Sequence, residues 1–254
     1  MLALVTATRN SMATLPESLA SVGENTRRVK HFFVDGASTD GTVEYLRSFT
    51  TDHENADFQP QNGSGLYEAL NQGIRAALDD PEITHVGLLH SDDRLVTGNF
   101  HEYLSEIDKN SADVYFSDIQ FHDAAGKVVR VWRAGHFSRF RLNTGWMPPH
   151  PSMIVKKEIY RDLGLYNPAF GTAADYEWIV RVLLAKSDSV HYFSKRTLTM
   201  LVGGASSASL KARLRANAMD GSVWSHRSRG RAAMIRLFKP TRKIGQFLLA
   251  KRQT

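Results

Sequence analysis

Residues 86–95 read Val-Gly-Leu-Leu-His-Ser-Asp-Asp-Arg-Leu, an apolar run that stops at two adjacent carboxylates. Like charges side by side repel. A loop that served only solubility gains nothing from setting Asp92 and Asp93 at the mouth of a core strand, so the pair points to a positive partner.

Working back from that stretch, apolar runs and helical periods alternate. Residues 2–7 (LALVTA) have strand length. Residues 14–22 (TLPESLASV) read as a helix with Thr14 as N-cap and Glu17 at capping-box spacing. Residues 29–34 (VKHFFV) form a second strand that runs into the polar turn DGASTDGT, and VEYLRSF gives a short helix. After a loop containing QPQNGSG, residues 66–78 set Leu66, Leu70, Ile74 and Ala77 on one helical face, and ITHVGLL returns as strand. Such alternation predicts an α/β fold with a mostly parallel sheet flanked by helices, whose ligands bind outside the carboxyl ends of the strands. Three polar segments gather at that edge: TATRN (6–10), DGASTDGT (35–42) and HSDD (90–93). Beyond a nominal boundary at Leu95 the pattern is less regular. DVYFSDIQF and KVVRVW suggest a hairpin, MPPHPSMIV follows, then a helix from Lys157 and the segment AADYEWIVRVLL. The expected organisation is 1–95, 96–210 and a tail, 211–254.

The chain has 254 residues, 42% of them hydrophobic and 23% charged, which is ordinary globular composition. No stretch approaches the roughly 20 apolar residues of a membrane-spanning helix. The absence of cysteine excludes disulfides and thiolate metal sites, and the opening MLALVTATRN has no basic leader, so a cytoplasmic setting is expected. Charge is uneven. Of the net +6, residues 211–254 carry twelve Lys or Arg against one acid, Asp220, a net +11 that leaves −5 for the rest. Within the tail, apolar residues between Met234 and Leu249 mix with basic ones and Pro240 interrupts them, which predicts two short amphipathic helices. They would lie on an anionic leaflet or cover the core.

The turn after the first strand, TATRN, has no glycine, and the single G-x-G, at Gly63 and Gly65, has Glu68 where the dinucleotide fingerprint needs a small residue. A Rossmann cofactor and a P-loop are therefore excluded. Asp92 and Asp93 suit a hard cation, Mg²⁺ or Mn²⁺, completed by water and phosphate oxygens; the plainer alternative is a strand end with solvated acids. In DGASTDGT, Asp35 offers an acceptor to a base N–H, Gly36 and Gly41 permit tight turning, and Ser38, Thr39 and Asp40 can bond backbone groups; a well-made turn is the alternative.

Taken in order, these motifs resemble the family 2 glycosyltransferases of the GT-A fold. TATRN resembles the first-strand T-x-T/Y-N, DGASTDGT the family's D-G-S-x-D-G-T, GLYEALNQGI its G-x-Y-D-A-M-N-x-G-I, and HSDDRL its N-x-D-D. PPHPSMIVKKEIYRDLGLYNPAF is similar to H-Q-x-x-F-x-x-R, AADYEWIVRVL to A-D-Y-D-x-x-x-R-L, and VGGASS to G-G-x-S. The resemblance covers about Leu2 to Ser207 and is nearest to enzymes of bacterial O-antigen and capsular polysaccharide assembly. Gly63 or Ser64 stands where the family has an Asp, and His90-Ser91 replaces Asn-Ala. The resemblance implies an inverting transfer from a nucleoside-diphosphate sugar, UDP favoured by family frequency, to a glycan or polyprenyl-linked hydroxyl. It puts Asp35 on the base, Thr6, Thr8 and Arg9 along the nucleoside, with Asn10, Ser38 and Asp92 also on the nucleotide side, and Asp93 with Asp92 on Mn²⁺ or Mg²⁺. Asp175 becomes the general base that deprotonates the acceptor, with Glu177 second. His150, framed by Pro149 and Pro151, faces acceptor or phosphate, or is a structural hydrogen-bonder. Asn71 and Tyr67 pack beneath the diphosphate loop, and Trp146, Met147 and Trp178 belong to the core or the acceptor cleft. The tail then suggests a peripheral protein on the inner face of the cell membrane.

Two other functions compete. A nucleic-acid-binding module would use the basic tail, but that tail lacks interleaved aromatics, so no nucleic acid is expected. A sugar nucleotidyltransferase would need a Gly-rich phosphate loop that TATRN does not supply.

Overall fold

The computed structural model describes residues 1–202, 219–224 and positions 230, 235 and 246. A central strand, β1 (Leu2–Thr8), is hydrogen-bonded in parallel to β2 (Val29–Asp35) on one side. Two helices follow from this region, α1 (Leu15–Ala20) and α2 (Thr42–Asp52), and β3 (Ala56–Pro60) adds a parallel edge beside β2. Next come α3 (Leu66–Asp79) and β4 (His85–Leu88), which pairs in parallel with the other side of β1. The two-residue β5 (Arg94–Leu95) leads to α4 (Thr97–Lys109), and β6 (Val114–His122) with β7 (Val128–Trp132) makes the expected hairpin. A short helix α5 (Arg139–Asn143), a 3-10 turn over His150–Ser152, β8 (Ile154–Lys156), α6 (Lys157–Leu163), α7 (Ala174–Ala185) and β9 (Val190–Leu201) complete the order. The sheet runs β3-β2-β1-β4-β8-β6-β9-β5, with β7 outside β6. β8 is antiparallel to both β4 and β6, while β6 and β9 are parallel.

β1 shows why the sheet is covered on both faces. Side chains alternate along a strand, and here both sets are apolar: Ala3 and Val5 join a core with Leu70, Ile74 and Trp178 of α3 and α7. Leu2 and Leu4 join Phe100, Tyr103 and Leu104 of α4 on the other side. A smaller cluster seats α1 and α2 through Leu15, Leu19, Phe33 and Leu46. α3 lies so close to the sheet that a Cβ on Gly73 would sit 2.5 Å from Val5 Cγ1.

Some expectations need correction. Thr14 occupies the N-cap of α1, but its side chain makes no cap bond; its hydroxyl reaches Ser11 O at 3.4 Å and Glu17 pairs with Arg94 instead. Leu66 is 49% exposed, because it opens α3 at the surface before the helix meets the sheet. β3 lies within what reads as a loop, since an exposed edge strand carries little apolar pattern. VGGASS beyond Val202 and almost all of the basic tail lie outside the described residues; at 219–224, helix places Trp224 in the core, where its indole donates to Tyr176 Oη at 3.1 Å.

Candidate active site

In-register pairing of Thr8 with Asp35 brings the ends of β1 and β2 together, and Leu89 N–H donates to Val5 O at 3.2 Å as the chain leaves β4. The three polar segments therefore share one sheet edge. Asp35 is buried, and its carboxylate accepts the Thr8 hydroxyl at 2.8 Å, the Ser38 N–H at 2.8 Å and the Ser38 hydroxyl at 2.5 Å. Those bonds hold the turn tightly enough to keep Ala37 at φ 61°, a left-handed conformation unusual for alanine. Asn10, at φ 52°, is stapled to the same turn: its N–H donates to Ser38 Oγ at 2.7 Å, and its side-chain oxygen accepts Thr39 N–H at 2.9 Å. Asp40 accepts the Thr42 hydroxyl at 2.6 Å and Met12 N–H at 3.0 Å; the Thr42 bond leads in holding its carboxyl below the usual range.

Thr6 is sequestered. It is fully buried and its hydroxyl donates to Leu89 O at 2.6 Å, so it locks β1 to the end of β4. Thr8 is likewise buried behind Asp35. From this strand end, only Arg9 and Asn10 are exposed.

Asp93 is the singular group of the site. It is 0% exposed, and neither carboxylate oxygen has a hydrogen-bond partner. Burial, with the charge of Asp92 added, pushes its carboxyl well above the usual range. A buried carboxylate without a partner costs several kcal/mol unless a cation joins it, so the pair fits a divalent ion. Among the described residues no group of three or more His, Asp or Glu could enclose a metal. One or two carboxylates suffice for Mg²⁺ or Mn²⁺ when phosphate and water complete the shell. A shallow cavity beside Asp92 is lined also by Arg94, His122, Asp123 and Thr199.

Asp175 lies at the second position of α7, whose N-cap is Ala173, so it is no N-cap; its Oδ1 accepts Tyr176 N–H at 2.7 Å. Its Oδ2 lies 3.9 Å from His150 Nδ1. His150 Nε2 shares a 2.8 Å hydrogen bond with Tyr166 Oη, and burial lowers its pKa to about 4, so the ring is neutral near pH 7. The His90 ring lies 6.5 Å from that of His150, and burial lowers its pKa against the opposing pull of Asp92 and Asp175. Thus His90 and His150 bridge the acid pair and Asp175. Tyr67 is close by; burial, then the charge of Asp175, raises its pKa.

Glu177 stands apart, held by Arg181 through two bonds of 3.0 and 2.8 Å. Trp178 is core, its indole donating to Gly164 O at 3.0 Å, and Trp146 donates to Ala134 O at 2.9 Å; Met147 is half-buried beside that core. Asn71 clamps Tyr166 reciprocally, its amide donating to Tyr166 O at 2.8 Å and its oxygen accepting Tyr166 N–H at 3.0 Å. Sequence reasoning had no signal for the roles of His90 and Tyr166, since these depend on tertiary contacts between residues 16 to 95 positions apart.

A family model described as glycosyl transferase family 2 matches residues 3–163. An uncharacterized glycosyltransferase of Mycobacterium tuberculosis, found in strains CDC 1551 / Oshkosh and ATCC 25618 / H37Rv, is 27% identical over 172 residues, 62% of this chain and 58% of the relative. The chain thus spans less than two thirds of the length of these curated relatives. Among solved structures, S. aureus TarS 1-349 in complex with UDP-GlcNAc aligns with a TM-score of 0.68 at 16% identity, covering 93% of this chain and 71% of that one. The mannosyltransferase PcManGT from Pyrobaculum calidifontis, in complex with GDP-Man and Mn²⁺, aligns at 0.61 and 14%, covering 89% and 63%. These likenesses show the fold, the curled mixed sheet seen here.

Proposed function

The chain belongs to glycosyl transferase family 2, and on that premise we propose that it moves a sugar, with inversion, from a nucleoside diphosphate, UDP first, to a hydroxyl of a glycan or polyprenyl-linked acceptor in surface-polysaccharide assembly. The observation that carries this reading is Asp93, a buried carboxylate with two unpartnered oxygens beside the Asp35 turn. The UDP-GlcNAc and GDP-Man bound in structures of the same fold support a donor of this class.

Asp93 and Asp92 would hold the divalent cation, which offsets charge on the departing diphosphate. The Asp35 turn is preformed and presents Arg9 and Asn10 to the nucleoside. In the transfer, the acceptor oxygen bonds to the anomeric carbon as the bond to the diphosphate breaks, and Asp175 takes the hydroxyl proton. His150, neutral and fixed by Tyr166, lies beside the Asp175 carboxylate without itself adding a positive charge to it. Glu177 is the weaker choice, being occupied by Arg181. Among the described residues, no helix is long and apolar enough to cross a membrane. Work at the inner leaflet through residues 211–254 remains part of the proposal.

Thermal-shift titrations of UDP and GDP with and without Mn²⁺ test the donor, since a ligand selective for the native state raises Tm. Asp175→Asn tests the base: nucleotide binding should persist while transfer falls by roughly two to four decades. Retained transfer in Asp175→Asn, with equal loss in Glu177→Gln, reverses the assignment.

A further inference from the structure

We propose that residues 133–147, between β7 and the His150 turn, form a second contact with an anionic bilayer, with Phe140 entering the headgroup region and arginines meeting lipid phosphates. This deepens the proposed work at a membrane and rests on that reading for its setting; it uses residues that precede the tail in the chain.

Phe140 is 76% exposed, well beyond the other exposed large apolar residues among the described ones, Leu66 and Val202. A lone exposed apolar side chain is ordinary; the surroundings set this one apart. It sits on α5, capped by Ser138, whose hydroxyl accepts Arg141 N–H at 3.2 Å. Residues two apart on a helix face nearly opposite sides, so the packing that buries Leu142 fixes Phe140 outward. The loop is braced from behind: the Arg141 guanidinium and the Trp146 indole both donate to Ala134 O at 2.9 Å, and Arg141 lies 4.9 Å over Trp146.

Charge selects the partner. From Ala124 to Lys157 the chain contains no Asp or Glu, but seven Lys or Arg. Arg133, His136 and Arg139 are exposed around Phe140, and Arg139 donates to Ser187 Oγ at 2.7 Å; the acids at this border are Asp188 and the buried Asp118, which accepts Ala134 N–H at 2.8 Å. One projecting aromatic ring within a basic collar matches the boundary between acyl chains and anionic headgroups. It lacks the successive stacking platforms that bind single-stranded nucleic acid. Ten residues separate Phe140 from His150, at most about 35 Å of chain, so docking here would bring a lipid-borne acceptor toward the His150–Asp175 end.

The full chain has no cysteine, so Phe140→Cys accepts a single environment-sensitive fluorophore at a solvent-facing position. With vesicles of phosphatidylglycerol and phosphatidylcholine at low salt, the probe should shift to the blue; added salt should reverse this, and phosphatidylcholine alone should give no shift. Unlabelled Phe140→Ser should bind the anionic vesicles about tenfold more weakly than wild type, or about 1.4 kcal/mol. If the labelled chain sediments with anionic vesicles while its probe does not respond, another segment makes the contact and the loop assignment falls while the membrane reading stands. If wild type does not sediment at all, both fall. A blue shift that grows with protein concentration without vesicles means a second copy covers Phe140, and the bilayer assignment is wrong.

Discussion

Asp35 and Asp93 are both buried acids at or beyond the carboxyl ends of the two parallel strands that flank β1, yet one accepts three hydrogen bonds and the other none. The bonded acid builds its loop without help from a ligand. The unpartnered one is a buried liability that a bound cation would relieve. One sheet edge thus contains a part fixed by folding and a part completed by binding, and only the second should respond to metal.

The strongest test of that difference is Asp93→Asn. Removing the buried charge should leave the metal-free protein at least as stable as wild type, while the Mn²⁺-dependent gain in Tm with UDP disappears and transfer falls about a thousandfold or more, on the scale of several kcal/mol for a metal's charge. A variant that loses stability without metal yet keeps the Mn²⁺ response would mean that Asp93 is structural. Asp35→Ala should do the opposite, lowering stability by about 3 kcal/mol in denaturant titrations with and without metal, because the Thr8 hydroxyl and Ser38 N–H lose a charged acceptor. A loss below about 1 kcal/mol would show that the turn stands without its acid.

A smaller effect comes from His31, another buried group with an unpartnered atom, Nδ1, stacked on Phe33. Burial lowers its pKa to about 4. The unfolded chain binds a proton near pH 6.5 and the folded chain resists it until about pH 4, so stability present above that window is lost as pH falls through it. His31→Phe should flatten this limb by about 2 kcal/mol, with a remaining slope from His85 and His150, whose pKa values are also lowered to about 4. An unchanged slope refutes the assignment. His31→Phe should not alter the Mn²⁺ response, which separates a packing liability from a binding site.

Much of this contrast is visible in the residues, but not its cause. The apolar runs of β1, β2 and β4 place the three polar segments at one edge, and the period of Leu70, Ile74 and Ala77 places α3. That Asp35 is saturated while Asp93 is bare depends on Ser38 folding back and on no hydrogen-bond donor reaching residue 93, which no spacing encodes. β9 escaped notice because VHYFSKRTLTML breaks its alternation at a register shift near Ser117 and Asp118 of its partner. The Thr14–Glu17 cap failed because Glu17 had a partner 77 residues away. The motif order carried Asp175; its companions His90, His150 and Tyr166 converge only through tertiary contacts.

β5 follows the acid pair immediately and is held by β9, through Arg94 opposite Thr199 and Leu95 opposite Leu198. Although the acids belong to the first 95 residues, their downstream anchor is supplied about a hundred residues later. Closing so long a loop is slow relative to local contacts. During synthesis the turn at Asp35 can form as soon as β1 and β2 meet, but Asp92 and Asp93 gain their clamp only when the last strand has left the ribosome and docked. A nascent or truncated chain ending before Val190 would carry a finished Asp35 turn and an unanchored acid pair, so under the proposed function capture of a metal-bound donor would be a late event in the life of the polypeptide.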